Sequence, residues 1–275
     1  MRRLIAVLFL IAMPFLAFAQ IQITTKKEKI SSFPTKITKV VLSGNEFKDQ
    51  AVKEAVKNAW RISPFEFCDI QEFDQLKTNP ELYFLVLSDT KTKKETKPGI
   101  SMFVLVKGDA GVEGLGDMLE VASLPVCAAD FPSGKEAAMM PALLDIMQSY
   151  IAKFLSGTFT SMRSVVKSKW QTGGITVVFD KDDFSPQVNA DDIAEKFGSR
   201  VSIGSSEDII HAMVSGSENT AVGYIVAPAE PEIGSVCYAM LIDAETHELY
   251  YFKKSVVSKT SGAGFQKADI NKILP

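Results

Sequence analysis

Two histidines, His211 and His247, are the chain's imidazoles for acid–base or metal chemistry. His211 falls beside Ile209, Ile210 and Met213, and His247 in a turn-like stretch. Neither has Cys or carboxylate neighbours at ligand spacing, so no zinc site is expected. Asp180, Asp182 and Asp183 have the look of a calcium loop, but Phe184 stands where another oxygen ligand is needed and the loop glycine is missing. They read as the solvated rim of a loop. A serine nucleophile has the pattern Ser-x-x-Lys at Ser164-Val-Val-Lys167, with Lys259-Thr-Ser-Gly262 as a faint Lys-Thr-Gly element. Ser88-Asp-Thr-Lys91 fits the first pattern equally well, and no Gly-x-Ser-x-Gly elbow exists. Ser133-Gly134-Lys135 lacks the upstream glycine of a phosphate loop. The residues therefore point to no catalytic, cofactor-binding or metal-ligating set.

The elements around these residues say more. Met1-Arg2-Arg3, an apolar run from Leu4 to Phe18, and Ala17-Phe18-Ala19 before Gln20 have the order that signal peptidase requires. The run is shorter than the roughly 20 residues of a bilayer-spanning helix. Residues 1–19 are expected to be a cleaved signal sequence, with a periplasmic or secreted product that is not a lipoprotein, because no Cys follows the cleavage point. Removing Arg2 and Arg3 leaves 28 of the 30 basic residues against 33 acidic ones, a net charge near −5. That balance argues against nucleic acid. No transmembrane segment is expected in the mature chain. Hydrophobic residues make up 46% of the sequence, enough for a packed core. Cys68, Cys127 and Cys237 read either as small buried hydrophobes or as one Cys68–Cys127 bridge and a spare thiol.

An internal repeat at a separation of about 137 residues organises the chain. Lys39–Leu42 and Ile175–Phe179 are β-type runs, and Phe47 and Phe184 follow Val40 and Val177 by seven positions each. Val56 and Trp60, and Ile193 and Phe197, then repeat at one-face helical spacing. Asn189 should cap the second of these helices and Gly198 close it. Phe65–Phe67 and Val201–Ile203 follow as strands, and Asp69 with Glu72, and Ser205 with Asp208, start short helices. Strands are predicted at 83–87, 100–106 and 119–126 in one copy and at 221–227, 235–242 and 249–257 in the other. Terminal helices are predicted at 141–155 and 265–273. The fold class is α/β (α+β): two tandem duplicated β-α-β-α-β-β-β-α domains with mixed sheets and helices mainly on one face. Residues 20–36 are read as an N-terminal arm, 37–156 as the first domain, 157–173 as a linker and 174–275 as the second domain. Helix 141–155 carries apolar residues around more than one face, as a core helix between sheet and second domain or as a partner surface would.

Tyr224–Ala229 and Cys237–Tyr251, with Asp243, Thr246 and Glu248 at the hairpin and His247 in place of a turn glycine, resemble a signature of bacterial envelope modules. The stretch is similar to the amino-terminal domain of TolB, to CsgG-like secretion proteins and to lipoprotein activators of penicillin-binding proteins. The resemblance implies binding of other envelope proteins and carries no functional residue. The expected function is an exported, non-enzymatic interaction or adaptor module of the cell envelope. Its expected partners are other envelope proteins or further copies of itself. The candidate surfaces are the Gly-rich stretch 108–116 and the groove between the domains. The alternatives are a small-ligand binder using that inter-domain groove, and an enzyme of unrecognised type.

Overall fold

Alternating apolar residues in short runs, broken by capped helices, build the same element order twice. The first unit runs β1 (Gln22–Ile23), α1 (Lys27–Ile30), β2 (Ile37–Val41), α2 (Glu46–Ala59), β3 (Phe65–Cys68), α3 (Ile70–Leu76), β4 (Leu82–Thr90), β5 (Ile100–Lys107), β6 (Leu119–Ala128) and α4 (Lys135–Ser156). The second runs β7 (Val165–Val166), β8 (Thr176–Asp180), α5 (Ala190–Phe197), β9 (Val201–Gly204), α6 (Ser206–Ser215), β10 (Thr220–Val226), β11 (Val236–Asp243), β12 (Leu249–Val256) and α7 (Lys267–Ile273). This computed structural model describes residues 22–23, 27–92, 95–130, 134–158, 165–166 and 173–274. The expected signal sequence, most of the expected linker, and Ser133, Ser164 and Lys167 lie outside them.

The two sheets have matching orders, β1-β6-β5-β4-β2-β3 and β7-β12-β11-β10-β8-β9. In each, the inner strand pairs parallel with two neighbours and the rest form an antiparallel meander. The fold class is thus the duplicated α/β arrangement that the sequence indicates. The ladders correct the register of the repeat. Thr38 faces Phe65 and Tyr83, while Val177 faces Val201 and Ala221. Thr38, and not Val40, therefore corresponds to Val177. The spacing of Phe47 and Phe184 is coincidental: Phe47 is 62% exposed on α2, whereas Phe184 packs on Phe179 and Phe265 ahead of α5.

Helix starts follow their caps. Asn45 and Asn189 accept from the amides of Lys48 and Asp191, and Asp69 accepts from Glu72. Asp208 reaches back to the amide and hydroxyl of Ser205. In the first unit Phe33, Trp60 and Tyr83 meet edge-on over one sheet face, and Phe73 of α3 meets Phe84 over the other. The supposed N-terminal arm is therefore part of this unit, with Ile30 and Phe33 fully buried and β1 paired to β6. Within the expected linker, β7 pairs to β12.

Helix α4 begins six residues before Pro141, which sits inside it. The missing amide costs the bond to Ala137, and buried Met139 and Met140 hold the turn in place. Thirteen of the 22 residues of α4 are buried, so it has no broad face left for a partner. It packs on α2, β6 and α6, and one apolar core joins it to both sheets through Met147, Val222 and Tyr238. Gln148 ties α4 to the end of α2, accepting from the amides of Arg61 and Ile62 and donating to the Ala59 carbonyl. A separate core under α5 and α7 covers the far face of the second sheet.

The β11–β12 hairpin is set by Asp243, which accepts from the amides of Glu245 and Thr246, the Thr246 hydroxyl and the Tyr250 hydroxyl. Burial pushes the Asp243 carboxyl up, but these donors outweigh it and hold the group below its ordinary range. His247 has φ +57°, the conformation that a glycine would supply. Its Nδ1 lies 2.7 Å from Asp145 of α4. Asp243→Ala should cost about 2–3 kcal/mol in a urea unfolding titration, because several donors lose one shared acceptor. A change below about 0.5 kcal/mol would contradict that role.

Candidate binding groove

At the C-terminal ends of β2 and β4 the chain leaves a groove of about 550 Å³. This is where the connections from neighbouring parallel strands diverge, the usual ligand position in open α/β sheets. Its floor is apolar, formed by Val41, Val52, Ile70, Phe73 and Val86, and Leu115 closes one side. Each wall has a local cause. The β2–α2 turn is held by Asp49, whose carboxylate accepts from the amides of Ser43 and Gly44 at 2.8 and 2.9 Å. Gly44 has φ +84°, so the turn calls for glycine. Lys77, which caps the end of α3, donates to Asp74 and to the Glu113 carbonyl, drawing the Gly-rich stretch over the groove. Gly108 lies so close to Asn79 that a Cβ would stand 2.0 Å from its carbonyl oxygen. Lys48 donates to the Ala129 carbonyl at 2.7 Å and lies 3.4 Å from Asp89.

Every lining residue belongs to the first unit, so this groove is distinct from the one expected between the domains. The seam between the units is packed: the Tyr224 hydroxyl donates to the Val126 carbonyl, and α6 lies on α4. Of the expected surface at 108–116, Glu113, Gly114 and Leu115 line the groove.

The second unit shows what its corresponding position does. Counting along the matched ladders, Val41, Ile70 and Val86 correspond to Asp180, Ser206 and Tyr224. Asp180 and Tyr224 lie beside the Lys135 ammonium from the start of α4, and Ser206 lies against Asp180. Lys135 lies 2.9 Å from Asp180, 2.8 Å from Asp183 and 6.0 Å from the Tyr224 ring centre. Ser206 donates to Asp180 at 2.7 Å. Asp180 and Asp183 are buried, against the expectation of a solvated rim, and the cation that they hold is a lysine.

The two carboxylates diverge in acidity. Burial pushes both up, but Asp180 also has Ser206, Lys135 and the Asp182 amide, and lies below its ordinary range. Burial of Asp183 outweighs its Lys135 contact, and its pKa is raised to about 6. One of its oxygens has no hydrogen-bond partner. Burial lowers the proton affinity of Lys135, but the two carboxylates more than restore it.

The remaining sequence candidates stay apart. His211 is exposed on α6, and His247 lies on the hairpin against α4. Among the described residues no three Cys, His, Asp or Glu side chains gather as metal ligands, and no helix is long and apolar enough to cross a membrane. All three cysteines are free and buried, so the Cys68–Cys127 bridge is not formed. Burial raises the Cys68 thiol to about 11, and raises Cys127 and Cys237 as well, which keeps the nucleophilic thiolate scarce. Ser88 and Asp89 line the groove, but the Ser88-to-Lys91 pattern brings no lysine into it. No protein-family model, curated protein or solved structure matches the chain.

Proposed function

We propose that the chain is an exported, non-enzymatic binding protein of the bacterial envelope, and that the groove at β2 and β4 is its recognition site. One observation carries the reading. The groove lies where the sister unit receives Lys135, so this architecture already seats an inserted chain at that position. Its volume of about 550 Å³ falls in the range of small-ligand pockets, and its apolar floor with a polar mouth is the usual lining. Residues 1–19, with the features of a signal sequence, support export.

Val86→Trp tests this reading, since the corresponding Tyr224 shows that an aromatic residue suits that strand position. Native mass spectrometry of protein isolated gently from an exporting host should find a small bound compound on the wild type. The Val86→Trp protein, with an unchanged circular dichroism spectrum, should carry none. Equal loading of the two proteins would move the site elsewhere.

A second reading, an adaptor that seats a side chain of another envelope protein, is favoured by the fact that what the sister unit receives is itself a side chain on a helix. A photo-cross-linker at exposed Phe47, on the same helix as groove residues Lys48 and Asp49, should then capture one protein in cells. Labelling no stronger than that from exposed Ile233 in the second unit would count against it.

A further inference from the structure

We infer that the groove of the first unit selects a small molecule with a primary ammonium on an apolar chain. This rests on the groove being the recognition site and adds the class of ligand. Four acidic residues line the groove, Asp49, Asp74, Asp89 and Glu113, against two basic ones, Lys48 and Lys77. Both lysines already donate to protein: Lys48 to the Ala129 carbonyl, and Lys77 to Asp74 and the Glu113 carbonyl. The lining therefore has a formal surplus of two negative charges.

An anionic ligand also finds several of the nearby backbone donors already taken. Helix starts bind anions through unsatisfied amides, and here side chains occupy part of that donor set. Asp49 takes the Ser43 and Gly44 amides, Asn45 takes that of Lys48, and Asp69 takes that of Glu72. The two carboxylates among these acceptors, Asp49 and Asp69, disfavour a carboxylate or phosphate and favour a cation.

The sister unit supplies an internal precedent, because the group seated there is an aminobutyl chain, that of Lys135. The polarity differs in the first unit. Val41 and Ile70 stand where the second unit has Asp180 and Ser206, so the floor is apolar and the carboxylates lie at the half-buried and exposed mouth. The ligand enters with its hydrocarbon end leading, and its ammonium stays among Asp74, Asp89 and Glu113.

Isothermal titration of the mature chain with n-octylamine, octanoate and 1-octanol tests this at constant chain length. Octylamine should bind about tenfold or more tighter than either of the others, and the preference should shrink as salt rises. Asp74→Asn combined with Glu113→Gln should remove most of that preference. If octanoate or octanol binds as tightly as the amine and Val86→Trp abolishes that binding, the groove stands and the ammonium assignment fails. If none of the three binds, or Val86→Trp leaves amine binding intact, the groove reading fails with it.

Discussion

Met147→Asp should leave no folded protein at 37 °C, and both sheets should be lost together. Met147 is 2% exposed on α4, in the core that contains side chains of both units. An unpaired carboxylate there costs several kcal/mol, comparable with the whole stability of an ordinary domain. The milder Met147→Ala should fold and lose about 2–5 kcal/mol. Circular dichroism of that variant, in a Trp170→Phe background, should show one transition at reduced denaturant, coincident with the fluorescence of buried Trp60 in the first unit. Two separate transitions, with only the Trp60 signal shifted, would mean that the units fold independently.

Lys135→Met should cost about 3–5 kcal/mol at pH 7, because it leaves Asp180 and Asp183 buried without their counter-charge. The penalty should ease on acidification. Asp183 already has a folded-state pKa of about 6, above its unfolded value, so the folded form binds a proton that the unfolded form does not. Its ionisation opposes folding at pH 7, and that cost is relieved as pH falls through 6 towards 4. Loss of Lys135 removes the contact that lowers both carboxyls, so both rise and the effect is enlarged. Asp180 in the wild type has the opposite sign, and its stabilisation is lost only below the ordinary Asp range. Urea midpoints for the wild type, Lys135→Met and Asp183→Asn between pH 7 and 4 separate these contributions. Lys135→Met should gain most on acidification, and Asp183→Asn should flatten the wild-type curve. A Lys135→Met protein as stable as the wild type at pH 7 would contradict the role of the cluster.

The order of strands and helices was legible because each element has a local signal. Alternation marked the strands, and Asn189, Gly198 and the Ser205–Asp208 pair marked helix ends. Register was not legible, because Val40 and Thr38 each make a plausible match to Val177 and only the ladders decide between them. Helix α4 appeared as an apolar cylinder, but which neighbours cover it depends on packing between distant elements. The Lys135–Asp180 pair spans 45 residues and has no local signal. A lysine at the head of an apolar helix and two aspartates before a phenylalanine were the only traces. The groove was half legible: the Gly-rich stretch stood out, while Val41 and Val86 resemble any strand residues until the strand ends meet.

The most direct measurement is methyl NMR of the Ile-, Leu- and Val-labelled mature chain during a titration with a small amphiphilic ligand. If the first-unit groove is the binding site, the shifts should concentrate on Val41, Val52, Ile70, Val86 and Leu115. The seam methyls of Val178, Ile209 and Val222 should stay still. Shifts centred on those seam methyls, or scattered over both units, would contradict it.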